Sequence, residues 1–142
     1  VMEAALRLEL IVVSHASEPV GHCYPGKGTT TPDKLYDFVR NFPKIRIVCA
    51  HWGGGLPFYS VMPEVAEVLA SVYFDTAASP LLYGSHIFSA ITTLNGANRV
   101  LFGTDFPLVG YRRALKQVAE ANLNPLDEER ILGLNAVELL CL

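Results

Sequence analysis

Residues 45–51 read Ile-Arg-Ile-Val-Cys-Ala-His, an apolar run that stops at a histidine. The run is apolar almost throughout and does not alternate, which is typical of a strand buried on both faces of a parallel sheet. Three other runs share this character and are also predicted to be strands: Leu8 to Ser14, Val72 to Asp75, and Arg99 to Gly103. The four runs predict a sheet of about four parallel strands.

Helical patterns lie between the predicted strands. Thr31-Pro32 predicts the start of a helix that Pro43 ends, and Pro63 begins another. Ser79-Pro80 gives the same signal for a helix that runs on through Ile87 to Leu94. The remaining predictions are a helix from about Tyr111 to Ala121 and two starts in the tail, at Asn124-Pro125 and at Asn135. Strand and helix alternate, so we expect a single-piece α/β fold with right-handed crossovers.

Composition and charge exclude several classes of protein. The 142 residues carry a net charge of -3 with only 18% charged residues, so no basic surface is available to bind nucleic acid or anionic lipid. The apolar runs are far too short to span a bilayer. The three cysteines, Cys23, Cys49 and Cys141, are odd in number and widely spaced, which favours reduced thiols in a cytoplasmic protein.

Polar side chains stand where the strands end. His15 ends the first strand, His51 ends the second, and the fourth leads into Asp105. In a (β/α)8 barrel the carboxyl ends of the strands converge on one mouth, and imidazole and carboxylate groups are the ligands of a catalytic zinc or similar ion. A histidine at a strand end can instead simply cap the sheet with a hydrogen bond. For Asp75 we expect only the formation of a turn.

Five motifs carry a resemblance to a known family. They are His15-Ala16-Ser17-Glu18-Pro19, His51-Trp52-Gly53-Gly54-Gly55, Tyr73-Phe74-Asp75-Thr76, Leu101-Phe102-Gly103-Thr104-Asp105-Phe106-Pro107 and Ile131-Leu132-Gly133-Leu134-Asn135-Ala136. Together they resemble the amidohydrolase-related hydrolases and decarboxylases. The resemblance implies that residues 1–142 form strands five to eight of a TIM-type (β/α)8 barrel. The family's first-strand His-x-His or Glu-x-His pair does not occur in this sequence, so we expect the N-terminal half to be absent from it.

The same resemblance implies roles for the residues that end the strands. His15 and Asp105 would bind a divalent metal, with zinc expected first and manganese as the alternative. His51 would act as acid or base beside the metal, or would become a ligand where a second metal is present. Asp105 would be catalytic as well. The implied activity is hydrolysis or non-oxidative decarboxylation of a small carboxylated or cyclic substrate, and both reactions use the same groups.

The loop of residues 16–30 is longer than most strand-to-helix connections. His22 and Lys27 are predicted to bind an acidic substrate from it, with a merely solvated loop as the alternative. Trp52 is predicted to line the pocket, although apolar packing explains it equally well. The loop comes close to a phosphate-binding motif, but no helix begins before Pro32, so we expect no nucleotide.

An alternative of a different class is a non-catalytic half-barrel that assembles with another chain. Four strands of an opened barrel leave two unpaired edges, which complete barrels remove by closing. On either hypothesis we expect a homo-oligomer or pairing with the N-terminal half. We expect no partner other than this and a small-molecule substrate.

Overall fold

The computed structural model describes residues 1–142, which form four strands and eight α-helices. The strands are β1 (Ile11–Ser14), β2 (Arg46–Cys49), β3 (Tyr73–Asp75) and β4 (Val100–Leu101). The helices are α1 (Met2–Arg7), α2 (Pro32–Asn41), α3 (Pro63–Leu69), α4 (Ser79–Leu82), α5 (His86–Asn95), α6 (Tyr111–Glu120), α7 (Pro125–Glu129) and α8 (Asn135–Leu140). No helix has the length and apolar character needed to cross a membrane.

The strands are hydrogen-bonded in the order β1-β2-β3-β4. β1 and β2 are parallel, with Ser14 opposite Cys49, and β2 and β3 are parallel, with Cys49 opposite Phe74. This confirms the predicted α/β fold of four parallel strands with flanking helices.

Each strand is shorter than its apolar run. β1 begins at Ile11 and not at Leu8, because α1 extends to Arg7 and the chain then turns. Glu9 takes a left-handed φ of 52° in that turn, and the Leu10 N–H donates to the Ala5 carbonyl at 2.9 Å. A continuous apolar pattern therefore covered the end of a helix, a turn and a strand.

The chain consists of two compact units, Val1–Phe74 and Asp75–Leu142. In the first unit α2 and α3 supply apolar side chains to a core that also contains the central strand β2. The core residues include Leu35, Val39, Ile47, Cys49, Val65, Leu69, Val72 and Phe74, all less than a tenth exposed. Burying each of the larger side chains contributes about 1.5–3 kcal/mol, so the buried side chains of Leu35 and Val39 hold α2 against this core.

In the second unit the helix predicted from Ser79-Pro80 is two helices. Ser79 is the first residue of α4, and Ala78, with φ 55°, precedes it in a left-handed conformation. Tyr83 is extended (φ -136°, ψ 152°) and ends α4, so the prediction of one continuous helix was wrong. The apolar spacing within α5 did not reveal this break.

Asn135 is the first residue of α8 but neither starts a new helix nor acts as a cap, because the chain enters α8 directly from a π-helical segment, Arg130–Leu134. The residue is fully buried, and its Nδ2 donates to the carbonyls of Ala97 and Val100, each at 2.7 Å. The Phe102 N–H donates to the Ile131 carbonyl at 3.0 Å in the same region. The C-terminal segment is thereby attached to β4 and to the turn before it.

Replacing Asn135 by Ala is expected to destabilise the protein by about 1–3 kcal/mol, because the carbonyls of Ala97 and Val100 each lose a buried hydrogen bond. Urea unfolding followed by circular dichroism measures this difference. The matched control is Asn98→Ala, at an exposed position in the neighbouring turn, which should cost less than about 0.5 kcal/mol. Equal stability of the two variants would contradict the assigned role of Asn135.

Candidate metal centre

Two histidines lie side by side at the carboxyl ends of β1 and β2. His15 follows β1 directly, and His51 stands two residues beyond β2. Their ring centroids are 4.9 Å apart with the ring planes at 71°, an edge-to-face arrangement. The Ala50 N–H donates to the Ser14 carbonyl at 2.9 Å, which continues the parallel pairing up to the histidines. The strand register thus brings together two predicted site residues that are 36 positions apart in the sequence.

A left-handed turn carries His51. The φ angles of residues 51–55 are all positive: 55° at His51, 55° at Trp52, then 59°, 62° and 94° at the three glycines. A residue with a side chain loses about 1–2 kcal/mol in this conformation, whereas glycine adopts it freely. The side chain of Trp52 is completely buried, so packing compensates for the strain at that position. Backbone strain of this kind is concentrated at functional sites.

The glycines also allow the turn to approach the chain that follows His15. A Cβ atom on Gly54 would lie 2.6 Å from the Ser17 carbonyl oxygen, which is a steric clash. A Cβ atom on Gly53 would lie 3.0 Å from the Phe74 ring. The glycines at positions 53 and 54 therefore allow this close packing.

Ser17 is a site residue that the sequence did not reveal. It is fully buried, and its Oγ lies 2.9 Å from His15 Nε2. The same Oγ accepts the Gly28 N–H at 2.9 Å, and the Ser17 N–H donates to the Thr30 carbonyl at 2.8 Å. A serine two positions after a strand is unremarkable in a sequence. The only indirect signal was the glycine run, because it indicates that another backbone comes close.

The loop after β1 is held by its own polar side chains. Lys27 Nζ donates to the carbonyls of Val20 and His22, at 2.9 and 3.1 Å. The Tyr24 hydroxyl donates to Glu18 Oε2 at 3.0 Å, and burial together with this carboxylate raises the pKa of Tyr24. His22 is exposed, with its ring 5.5 Å from that of Tyr24. The Lys27 ammonium therefore organises the loop in this structure.

Asp105 lies in the second unit, in a turn that follows β4. Its side chain is exposed and its φ is 63°, so it shares the left-handed conformation of His51. Thr104 Oγ1 accepts the Phe106 N–H at 3.1 Å, and the Asp105 carbonyl accepts the Leu108 N–H at 2.8 Å. The turn thus fixes the backbone of Asp105 and leaves its side chain exposed.

Asp75 takes the structural role expected of it. Its Oδ1 accepts the Ala77 N–H at 2.9 Å, which is a short side-chain turn at the end of β3. The neighbouring Thr76 hydroxyl donates to the Gly103 carbonyl and accepts the Gly103 N–H, both at 2.9 Å. These bonds hold the ends of β3 and β4 together, a role for Thr76 that sequence analysis did not predict.

The two histidines suit a divalent cation in chemistry and proximity, since imidazole nitrogens are ligands of zinc and related metals. A catalytic zinc normally has three protein ligands. Neither unit by itself contains a group of three or more His, Cys, Asp or Glu side chains arranged to hold a metal ion. The His15 and His51 pair by itself therefore does not complete such a ligand set.

Among known protein families, the model described as Amidohydrolase matches residues 1–142, the whole chain. No curated protein sequence matches the chain significantly.

Solved structures with the same fold are much longer than this chain. A dihydroxybenzoic acid decarboxylase from Polaromonas sp. JS666, with bound manganese and the inhibitor 2-nitroresorcinol, is 17% identical with a TM-score of 0.73, over 96% of this chain and 51% of its own. A Tim-barrel protein from Bordetella bronchiseptica is 20% identical with a TM-score of 0.73, over 99% and 48%. An amidohydrolase from Burkholderia multivorans with bound zinc is 14% identical with a TM-score of 0.73, over 99% and 56%. The likeness to these structures confirms the barrel fold class. The chain spans about half of their length.

Replacing Gly54 by Ala is expected to destabilise the protein by about 3 kcal/mol or more, because a positive φ and a clash with the Ser17 carbonyl act together. The control is Gly26→Ala, where φ is +89° but a Cβ atom meets nothing within 4 Å. That variant should lose only about 1 kcal/mol, the cost of the conformation alone. Urea unfolding of both variants measures the difference, and equal losses would show that the close approach at Ser17 is unimportant.

Proposed function

The chain belongs to the amidohydrolase family, and on that premise we propose that it forms part of a metal-dependent hydrolase or non-oxidative decarboxylase. The observation that carries the proposal is the pair of imidazoles at the ends of neighbouring parallel strands, with ring centroids 4.9 Å apart. In barrels of this type, chemistry is placed at the carboxyl ends of the strands. Two adjacent histidines at this place are better explained by a shared ligand than by capping of the sheet.

His15 and Asp105 are the proposed metal ligands, with further ligands from residues beyond those of this chain. A divalent ion held there supplies Lewis-acid chemistry and lowers the pKa of water near neutral pH. The donor set of imidazole and carboxylate accepts either zinc or manganese. Both ions occur in the structures that share the fold. We propose zinc first.

His51 is the proposed acid or base. Its ring stands at the edge of the His15 ring, so a proton carried by His51 is within reach of a group bound at His15. The half-buried position shields the ring partly from solvent. The left-handed turn holds its backbone, because Trp52 is packed in the core and Gly54 lies against Ser17. A fixed ring loses little entropy when it transfers a proton.

The proposed substrate is a small carboxylated or cyclic molecule, and an aromatic carboxylic acid meets both descriptions. The dihydroxybenzoic acid decarboxylase that shares the fold acts on such an acid. His22, Lys27 and Trp52 remain predicted substrate-binding residues. To reach a substrate carboxylate, Lys27 would have to break its hydrogen bonds to the carbonyls of Val20 and His22. Trp52 is completely buried, so it would act through the residues that cover it.

The second candidate function is a non-catalytic half-barrel that pairs with another chain. One observation favours it: β1 is the edge strand of the sheet, and its Val13 side chain is 65% exposed. An uncovered edge strand with an exposed apolar residue is suited to pairing. The two candidates differ in metal binding, because an assembly subunit needs no metal.

The full chain is expected to bind zinc, and His15→Ala should weaken binding by about tenfold or more, because it removes a proposed ligand, whereas His51→Ala should weaken it less, because His51 is the proposed acid or base. Isothermal titration calorimetry, with elemental analysis of the dialysed protein, measures both affinity and stoichiometry. His86→Ala is the matched control, since His86 is exposed at the start of α5. Equal zinc affinity in the wild type and the three variants would contradict the proposed metal centre and favour the assembly function.

In the complete enzyme, Asp105→Asn is expected to lower kcat by about a hundredfold or more, because the amide carries no charge to hold the metal. Decarboxylation of dihydroxybenzoic acids, followed by the loss of ultraviolet absorbance of the acid, is the assay. Asp37→Asn on the exposed surface of α2 is the control and should keep full activity. Undiminished turnover in the Asp105 variant would exclude both of its proposed roles.

A further inference from the structure

We propose that Ser17 is the positioning residue of the metal centre: its buried hydroxyl holds the His15 imidazole by Nε2 and so decides how the ring meets a metal. The inference deepens the proposed function, since it names the group that orients one of the proposed ligands. It depends on four segments that meet at Ser17: the end of β1, the loop end at Gly28, the backbone at Thr30, and the turn at Gly54.

The contacts of Ser17 Oγ limit the arrangement of the His15 ring, and they also include an interaction with the Tyr24 side chain. A serine hydroxyl has one proton to donate and two lone pairs. The Gly28 N–H takes one lone pair at 2.9 Å. His15 Nε2, at 2.9 Å, therefore either accepts the hydroxyl proton or donates to the second lone pair. In both cases the imidazole is held with Nε2 towards Ser17.

The surroundings keep the hydroxyl in place. Ala16 and Ser17 are both completely buried, so no water competes for Oγ from outside. The Ser17 N–H is bonded to the Thr30 carbonyl at 2.8 Å, and the Ser17 carbonyl lies where Gly54 has no side chain. A buried hydroxyl that turned away from its partners would lose about 1–3 kcal/mol. The backbone and the side chain of Ser17 are thus both fixed.

This arrangement determines the nitrogen that faces a metal. His15 Nδ1 has no hydrogen bond in this structure, whereas Nε2 is engaged by Ser17. A histidine that binds a metal through one nitrogen normally donates the other N–H to a fixed acceptor, which sets the tautomer. With Nε2–H donated to Ser17 Oγ, the Nδ1 lone pair is presented to the metal. Ser17 Oγ can accept this bond and that of Gly28 together.

The same hydroxyl connects the loop to His15. Gly28 follows Lys27 directly, and Lys27 holds the loop through two carbonyls at 2.9 and 3.1 Å. A change in the loop that moved Gly28 would remove one partner of Ser17 Oγ. The orientation of the His15 ring is therefore coupled to the fold of the loop through one side chain.

The test compares Ser17→Ala and Ser17→Cys with a matched control, Ser14→Ala, in the full 15N-labelled chain. Ser14 Oγ donates to the His15 carbonyl at 3.2 Å and does not touch the ring. The cysteine variant keeps the side-chain volume with a weak donor and acceptor, so it serves as the test if the cavity in the alanine variant prevents folding. Amide spectra establish which variants are folded.

The first readout is the tautomer of His15 without metal, from long-range 1H–15N correlation spectra of the neutral imidazole. We expect a single tautomer in the wild type and in Ser14→Ala, and an averaged mixture in the Ser17 variants. His86 serves as the internal reference and should not change. Identical His15 ring shifts in wild type and Ser17 variants would overturn the proposal.

The second readout is zinc affinity, which should fall about 10- to 100-fold in the Ser17 variants and change less than about twofold in Ser14→Ala. Unchanged affinity in a folded Ser17 variant would also overturn the proposal. If the wild-type chain binds no zinc, residues 1–142 do not hold the metal without the further ligands of the proposed function. The tautomer comparison then still decides the role of Ser17, so the two failures are distinguishable.

Discussion

The structure of the first unit depends on one close approach, that of the Gly54 backbone to the Ser17 carbonyl. No side chain fits between them, since a Cβ atom would lie 2.6 Å from that oxygen. The left-handed turn that carries His51 is built on this approach, and two of its residues, His51 and Trp52, adopt a conformation that costs about 1–2 kcal/mol each. The strain persists because Trp52 is buried completely and the glycines add none of their own. One steric constraint thus holds one histidine and supports the serine that touches the other.

The parallel register of β1 and β2 brings His15 and His51 next to each other. β1 and β2 run side by side with Ser14 opposite Cys49, and the Ala50 N–H extends the pairing by one bond. Because the carboxyl ends of parallel strands lie at one edge of the sheet, residues far apart in sequence meet there. The apolar core of the first unit sits behind this edge and keeps the register fixed, since a slipped strand would expose its buried side chains. The packing that forms the core therefore also fixes the positions of the two histidines.

The second unit uses hydrogen bonds from single side chains for a similar purpose. Thr76 bonds both backbone groups of Gly103, and Asn135 bonds two carbonyls around the start of β4. Asp105 follows these anchors in a turn with its own internal bonds. A chain that spans about half the length of the structures it resembles can thus still fix the backbone of each strand-end residue within its own unit.

The sequence by itself determined the number and type of strands, most helix starts and the strand-end positions of His15, His51 and Asp105, because apolar runs, proline and strand-end polar residues are local signals. The family motifs added the barrel and the expected metal. Only the tertiary structure decided the role of Ser17, the left-handed turn at His51, the break between α4 and α5, and the use of Asn135 as a clamp. In most of these the deciding partner is distant in sequence: Gly28 and Gly54 for Ser17, and Ala97 and Val100 for Asn135. A hydrogen bond or a steric contact between distant residues leaves no periodic pattern, so it appears only when the chain is folded.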